Sequence, residues 1–289
     1  MSPALLRAVL ACALVCTCLP LAAQDVLKRI AARQQVNLGY AENAAPFSFR
    51  TAGGPSGYAV ELCVAVVERL KRELGVQQLP VRFVPVDQDS VARLVAANSV
   101  DLLCAGVSDT PARRVTMAFS SPIFFSSVKL LVRSEDGPQS LQALKGRTVA
   151  LLGRTTAEAA VNAINKQQGL GLQVAPVVSP EAALSQLRLH QADAWARDEV
   201  LLLGALARES DARKFTLLPD TLSTETIALA MPQDAQLQRV ANEALAELAR
   251  SGRLEAIYER WFVQPNPAAA AGLKFPLSPQ LKAEFARAR

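Results

Sequence analysis

The sequence predicts an α/β protein of two similar lobes, and three observations carry that reading. Short apolar runs alternate with amphipathic helical patterns along most of the chain, which is the mark of an α/β layer. The alternation stops at an extended run over residues 128–132 and then begins again. With 289 residues, 51% hydrophobic and 20% charged, the chain can bury a sizeable core in one large domain or two ordinary ones.

Taken in order, the first stretch gives a strand at 36–40, a helix at 61–74, a strand at 81–86, a helix at 90–97 and a strand at 101–105. After the extended run come a strand at 148–152, a helix at 156–168, a strand at 174–178, a helix at 180–189, a strand at 192–196 and a helix at 198–208. Ser179 before Pro180 is a sound helix start. The hydroxyl can cap an orphan amide, and proline takes the first helical position without losing a hydrogen bond. Residues 226–231 read as extended and lead into helices at 235–251 and 254–262 that have no sheet of their own, so they are expected to return to the first lobe. An alanine-rich link at 268–271 and a C-terminal tail close the chain.

The N-terminus reads as an address. Arg7 supplies a basic start, residues 8–19 are apolar but too few to span a bilayer, and Leu21-Ala22-Ala23 offers small residues for cleavage before Gln24. Residues 1–23 are therefore expected to be removed on export, with a loose lipoprotein box at Val9-Leu10-Ala11-Cys12 as the minor alternative. Cys12, Cys16 and Cys18 leave with that segment. Cys63 and Cys104 remain, either as a disulfide formed in an oxidising compartment or as two buried free thiols.

Several function classes drop out. The chain carries 31 Lys+Arg against 26 Asp+Glu, net +5, but the basic residues are interleaved with acids rather than gathered into a stripe, so nucleic acid is not expected as a partner. One histidine, His190, at the polar end of a helix, reads as an exposed surface residue. Together with two cysteines it offers no zinc spacing and no Ser/His/Asp mechanism. No phosphate-cradling glycine motif occurs, and no metal or cofactor is expected.

Eight strings, read in order, resemble the type II periplasmic solute-binding proteins of polar amino-acid ABC transporters (family 3), especially the glutamate/aspartate-binding branch. They are Pro46-Phe47-Ser48-Phe49, Gly57-Tyr58-Ala59-Val60-Glu61-Leu62, Asp101-Leu102 with Ser108-Asp109-Thr110-Pro111-Ala112-Arg113, and Phe119-Ser120-Ser121-Pro122. The second half adds Leu144-Lys145-Gly146-Arg147-Thr148-Val149, Gly153-Arg154-Thr155-Thr156, Asp193-Ala194 with Asp198, and Ile257-Tyr258-Glu259-Arg260-Trp261-Phe262. The tail Gly272-Leu273-Lys274-Phe275-Pro276-Leu277-Ser278 is similar to an extension of the same branch.

This resemblance implies a two-lobed clamp of the Venus-flytrap kind joined by two hinge strands. Lobe 1 would comprise residues 24–130 and 231–289, and lobe 2 residues 131–230. A ligand would lie between them. An α-amino acid presents a carboxylate beside an ammonium, so its site needs a cation at one end and a carboxylate at the other. At the matching positions Arg113 would fork onto the α-carboxylate and Asp198 would accept from the ammonium. Ser108 and Thr155 or Thr156 would add hydroxyl and backbone donors from strand ends, and Phe47, with Phe49 or Tyr58, would wall the cleft. Most have a duller alternative: solvated charge for Arg113, a helix cap for Asp198, Thr155 and Thr156, and plain core for Phe47; Trp195, at the end of an apolar strand, lines the pocket or is core, with core the preferred reading.

Members of the glutamate/aspartate branch hold the side-chain carboxylate with arginines that align with Ala41 and Val91 and a histidine that aligns with Pro180. Without those cations a buried carboxylate is costly. The expectation is a neutral or apolar side chain, with Arg154 as the one candidate to replace the missing charge.

The resulting function is that of an exported carrier, monomeric and periplasmic. It would close on a small-molecule ligand, an amino acid or an analogue, and dock on an ABC-transporter membrane permease. Two alternatives share the fold. One is a cyclohexadienyl-type dehydratase, for which Glu199 is the only candidate acid; the other is a sensor read by a separate membrane receptor.

Overall fold

The computed structural model describes residues 25–287; the cleavable leader and the lipoprotein box expected at the N-terminus lie outside them. Asp25 accepts from the Lys28 amide and so caps α1 (Val26–Arg33), whose Val26, Leu27 and Ile30 face inward. The alternation of apolar runs does not predict this helix, because its arginines look solvated until Arg29 and Arg33 are seen to converge on buried Asp101. β1 (Val36–Tyr40) follows, then a small meander of β2 (Asn43–Ala44), β3 (Ser48–Thr51) and β4 (Gly54–Ser56). Gly57, at φ +132°, leads into α2 (Tyr58–Leu74); a Cβ there would sit 2.3 Å from the Phe47 carbonyl oxygen, so glycine is required.

β5 (Val81–Pro85), α3 (Val91–Ala96) and β6 (Leu102–Ser108) complete the first parallel unit, with β1 between β5 and β6. A single-turn helix α4 (Pro111–Arg114) and β7 (Ala118–Phe119) lead to the long β8 (Phe124–Arg133). The second unit runs β9 (Thr148–Leu152), α5 (Thr156–Gln168), β10 (Gln173–Val177), α6 (Pro180–Arg188), β11 (Ala194–Asp198) and α7 (Glu199–Leu206). Ser179 caps α6 through the Ala182 amide with Pro180 at its first position, as the sequence predicts. β11 begins and ends two residues later than expected, because its register with β8 runs from Ala194 opposite Val132 to Asp198 opposite Val128. Asp198 therefore ends a strand, and the helix starts at Glu199.

β12 (Phe215–Leu217) and β13 (Ser223–Met231) return the chain to α8 (Ala235–Arg250), α9 (Arg253–Phe262) and a last helix, α10 (Pro279–Arg287). α10 replaces the plain tail expected there, and it is held by burial of Leu281 and Phe285.

The strand order β10-β9-β11-β8-β13-β6-β1-β5 makes one sheet that passes through both lobes. Its middle is an antiparallel pair, β8 with β13, in register from Phe124 opposite Ile227 to Val128 opposite Ser223. Beyond that overlap the two strands part: β8 continues beside β11, and β13 continues beside β6. These are the two hinge strands.

Alternation along the second unit separates two apolar faces. Leu130, Val132, Val149 and Leu151 pack under Val161 of α5, while Leu131, Ala150 and Trp195 pack under Leu184, Leu187 and Leu202 of α6 and α7. The first unit has a larger core in which α2, α8 and α9 meet β1 and β6, with Ile30 and Phe285 from the two ends of the described chain. Inside it Cys63 of α2 and Cys104 of β6 form a disulfide with Cα atoms 6.0 Å apart, which settles the alternative the sequence leaves open. His190 is exposed, with Nδ1 3.3 Å from Asp136.

Candidate ligand-binding cleft

A cleft of about 620 Å³ opens between the lobes, where the C-terminal ends of β6, β9, β10 and β11 converge. Open α/β sheets place their ligands at such strand ends. Gly106 and Ser108 line it from one side, with Arg113 above them, and Leu152 to Thr156, Arg197 and Asp198 line it from the other.

Arg113 sits on α4, whose first turn is fixed by Pro111 and by Thr110, which accepts from the Arg113 amide at 3.3 Å. Its guanidinium folds back over the end of β6 and donates from Nη1 to the Ser108 carbonyl at 2.9 Å. Burial lowers its pKa, and the charges of Glu225 and Asp198 oppose that shift. Arg114, next in the chain, turns away and forms a two-point bridge with Asp109, Nε to Oδ1 at 2.6 Å. The solvated charge is thus Arg114, and Arg113 belongs to the cleft.

Asp198 is 9% exposed, and its Oδ1 accepts no hydrogen bond from any described residue. Desolvation, followed by the charge of Glu225, pushes its carboxyl up to about 6, against Arg197 and the Ser126 hydroxyl, which favour ionisation. Although Asp198 stands at the N-cap of α7, its side chain makes no capping bond, so the cap alternative fails on geometry.

The Ser108 hydroxyl, nearly buried, approaches the Thr156 hydroxyl across the cleft to 3.4 Å. Thr155 also lines the cleft, but its hydroxyl is engaged elsewhere: it accepts from the Glu158 amide at 3.1 Å and donates to the Leu152 carbonyl at 2.8 Å. Thr155 is a cap first.

Phe47 is placed differently from the wall the sequence suggests. It is fully buried and packs edge-on against Phe124, at 5.1 Å between ring centroids, and against Phe262. It acts on the cleft from below through Gly106, at φ +68°, where a Cβ would come within 2.7 Å of the Phe47 ring. Trp195 is likewise core.

Arg154 also lines the cleft, but its Nη1 lies 2.8 Å from Asp89 Oδ1 of the other lobe, so in this structure its charge is turned toward that carboxylate. Arg197 is the residue that sequence reasoning overlooks. Six arginines are half-buried among the described residues: Arg29, Arg33, Arg69, Arg113, Arg133 and Arg197. Arg29 and Arg33 pair with Asp101, Arg69 with Glu243 and Arg133 with Asp136. Arg113 and Arg197 pair with no described carboxylate, and both line the cleft. The signal in the sequence is slight, a charged residue directly after the apolar run Ala194-Trp195-Ala196.

Comparison with known proteins agrees with this architecture. The chain is 28% identical over 287 residues to an L-glutamate/L-aspartate-binding protein of Pseudomonas aeruginosa, covering 97% of this chain and 94% of that one. It is 25% identical over 266 residues to the glutamate/aspartate import solute-binding protein of Escherichia coli, covering 91% and 88% of the two chains. Among solved structures, an ABC uptake transporter substrate-binding protein of Streptococcus pneumoniae with bound histidine superposes with a TM-score of 0.73 at 21% identity, over 83% of this chain and 97% of that one, a likeness of fold. The family model that matches residues 36–264 is that of the bacterial extracellular solute-binding proteins, family 3, and the chain belongs to that family.

Proposed function

We propose that this chain captures an α-amino acid between its lobes and hands it to the membrane permease of an ABC transporter. One observation carries the reading: an unpaired guanidinium, Arg113, and an unpaired buried carboxylate oxygen, Asp198 Oδ1, line the same cleft from different lobes. Those are the complements of an α-carboxylate and an α-ammonium. A ligand that bridges them ties the lobes together, and closure becomes the signal the permease reads. Ser108 and Thr156 add hydroxyls, and Thr155 adds the shape of its turn. The names of the relatives in Pseudomonas aeruginosa and Escherichia coli support an amino acid as the class of solute.

In this reading lobe 1 comprises residues 24–130 and 231–289, lobe 2 residues 131–230, and residues 1–23 direct the chain to the periplasm as a monomer. The protein is a carrier and not an enzyme. Glu199, the acid the sequence offers for a dehydratase, is not among the residues that line the cleft, and Asp198, the buried carboxyl that does line it, is assigned in this reading to the ligand's ammonium.

The test is calorimetric titration of the mature chain, unfolded, stripped of ligand and refolded, against the twenty amino acids. The expected result is one-site binding near micromolar, about −8 kcal/mol, with the ligand recovered unchanged. Binding of none of them, with conversion of prephenate or arogenate to a decarboxylated aromatic product, overturns the reading.

A further inference from the structure

Among the charged groups that line the cleft, Arg197 has neither a carboxylate partner nor a task in the amino-acid assignment. It is the fourth residue of β11, one before Asp198, and its guanidinium carbon stands 5.9 Å from the centroid of the Trp195 ring. Leu152, Val177 and Leu201 line the same cleft, so its surroundings include several apolar side chains. No described residue forms an ion pair or a side-chain hydrogen bond with it, and burial lowers its pKa while Asp198 and Glu181 oppose the shift. Of those two carboxylates, Asp198 is needed for the ammonium, and Glu181 is exposed in the first turn of α6.

A half-buried guanidinium without an anion is unfavourable, and every other half-buried arginine outside the cleft has found a carboxylate. A planar fork of donors matches a carboxylate at two points. We propose that Arg197 is the specificity determinant of the cleft: it binds a carboxylate at the end of the ligand's side chain, and the preferred solute is an acidic α-amino acid. This inference rests on the assignment of Arg113 to the α-carboxylate and Asp198 to the ammonium. It reverses the expectation of a neutral side chain drawn from Ala41, Val91 and Pro180, because the cation comes from the end of β11, a different place in the fold.

The test uses the refolded, ligand-free chain and four ligands, glutamate with glutamine and aspartate with asparagine, each pair differing in the terminal charge alone. The wild-type chain is expected to bind at least one acid about tenfold or more tighter than its amide. Arg197→Met is expected to abolish that preference by weakening the acid far more than the amide, and Arg197→Lys, which keeps the charge but loses the fork, to retain a reduced preference. Thermal melting of the ligand-free variants checks that they fold. Equal binding of acid and amide by the wild-type chain overturns the proposal, as does an acid preference that survives in Arg197→Met. Binding of an amino acid outside these pairs overturns the role of Arg197 and leaves the carrier reading standing; binding of no amino acid overturns both.

Discussion

The Ser108 hydroxyl lies 3.4 Å from the Thr156 hydroxyl, so the last residue of β6 meets the first residue of α5 across the cleft. Arg154 and Asp89 bridge the same gap with opposite charges. At Gly204 of α7 the backbones themselves close up: a Cβ there would stand 2.3 Å from the Ala45 carbonyl oxygen. The lobes therefore approach both through side-chain polar groups and through backbone, and the unpaired charges of Arg113, Arg197 and Asp198 line the cleft between them.

Arg113→Ala and Asp198→Asn should each weaken amino-acid binding by about 2–5 kcal/mol, because each leaves a ligand charge unpaired in a desolvated site. Asp198→Asn should also raise the stability of the ligand-free chain at pH 7. Its carboxyl is raised from 3.8 to about 6, which corresponds to a burden of roughly 3 kcal/mol that the amide does not carry. Denaturant melts beside titrations measure the two effects, and an Asp198→Asn chain that loses stability contradicts this account.

The same shift fixes a pH dependence. Since the folded-state pKa of Asp198 exceeds its unfolded value, this group favours folding of the ligand-free chain increasingly as the pH falls from neutral through about 6 toward 3.8. Affinity moves the other way: the ammonium needs the ionised carboxylate, so binding should weaken as the pH drops below about 6. Titrations at pH 7.5 and at pH 5 compare the two states, and in Asp198→Asn this component of the pH dependence should vanish.

Arg154→Ala should have a small effect. Its side chain is 71% exposed and that of Asp89 is 76% exposed, and exposed pairs contribute about 0–1 kcal/mol. Affinity should fall by less than about fivefold at low salt, and the difference should disappear near 1 M salt, where screening is nearly complete. A loss as large as that of Arg113→Ala would make Arg154 a ligand contact instead of a bridge.

Gly106→Ala should be costly. The residue needs φ +68° and its new Cβ would come 2.7 Å from the Phe47 ring, so a loss of about 1–3 kcal/mol in stability is expected, together with weaker binding as the cleft floor shifts. Phe47→Ala should cost about 3–5 kcal/mol of stability by opening a cavity in the aromatic core. Chemical denaturation with and without ligand separates stability from affinity for both.

Reducing the Cys63–Cys104 bond should lower stability by about 4 kcal/mol on the chain-entropy estimate, since it closes a sequence separation of 41 residues. The comparison is a thermal melt with and without reductant, using a Cys63→Ala/Cys104→Ala double variant as the reference for the reduced chain.

What the sequence makes plain depends on where the signal resides. Helices that carry their own punctuation, such as α5 between Thr155 and Gly169 or α6 behind Ser179 and Pro180, are readable residue by residue. α1 and α10 are short, and their apolar residues gain their worth only on docking, so local pattern does not reveal them. Arg113 stands out because an ordered set of strings surrounds it. Arg197 does not: identifying the arginine without a carboxylate partner requires knowing where all the carboxylates went, which is tertiary information. Phe47 shows the converse error, an aromatic inside a recognisable string whose ring points into the core.

Ile30 and Phe285, near opposite ends of the described chain, share one core, whereas the apolar layers from Leu130 to Leu218 draw on a contiguous stretch. Local contacts form sooner than distant ones. A polypeptide emerging from its N-terminus can therefore finish the inserted body on its own, while the body that surrounds it stays unfinished until the closing helices arrive. Such a topology leaves only the outer body waiting for the last residues of the chain, so the two halves of the molecule are completed at different times during synthesis.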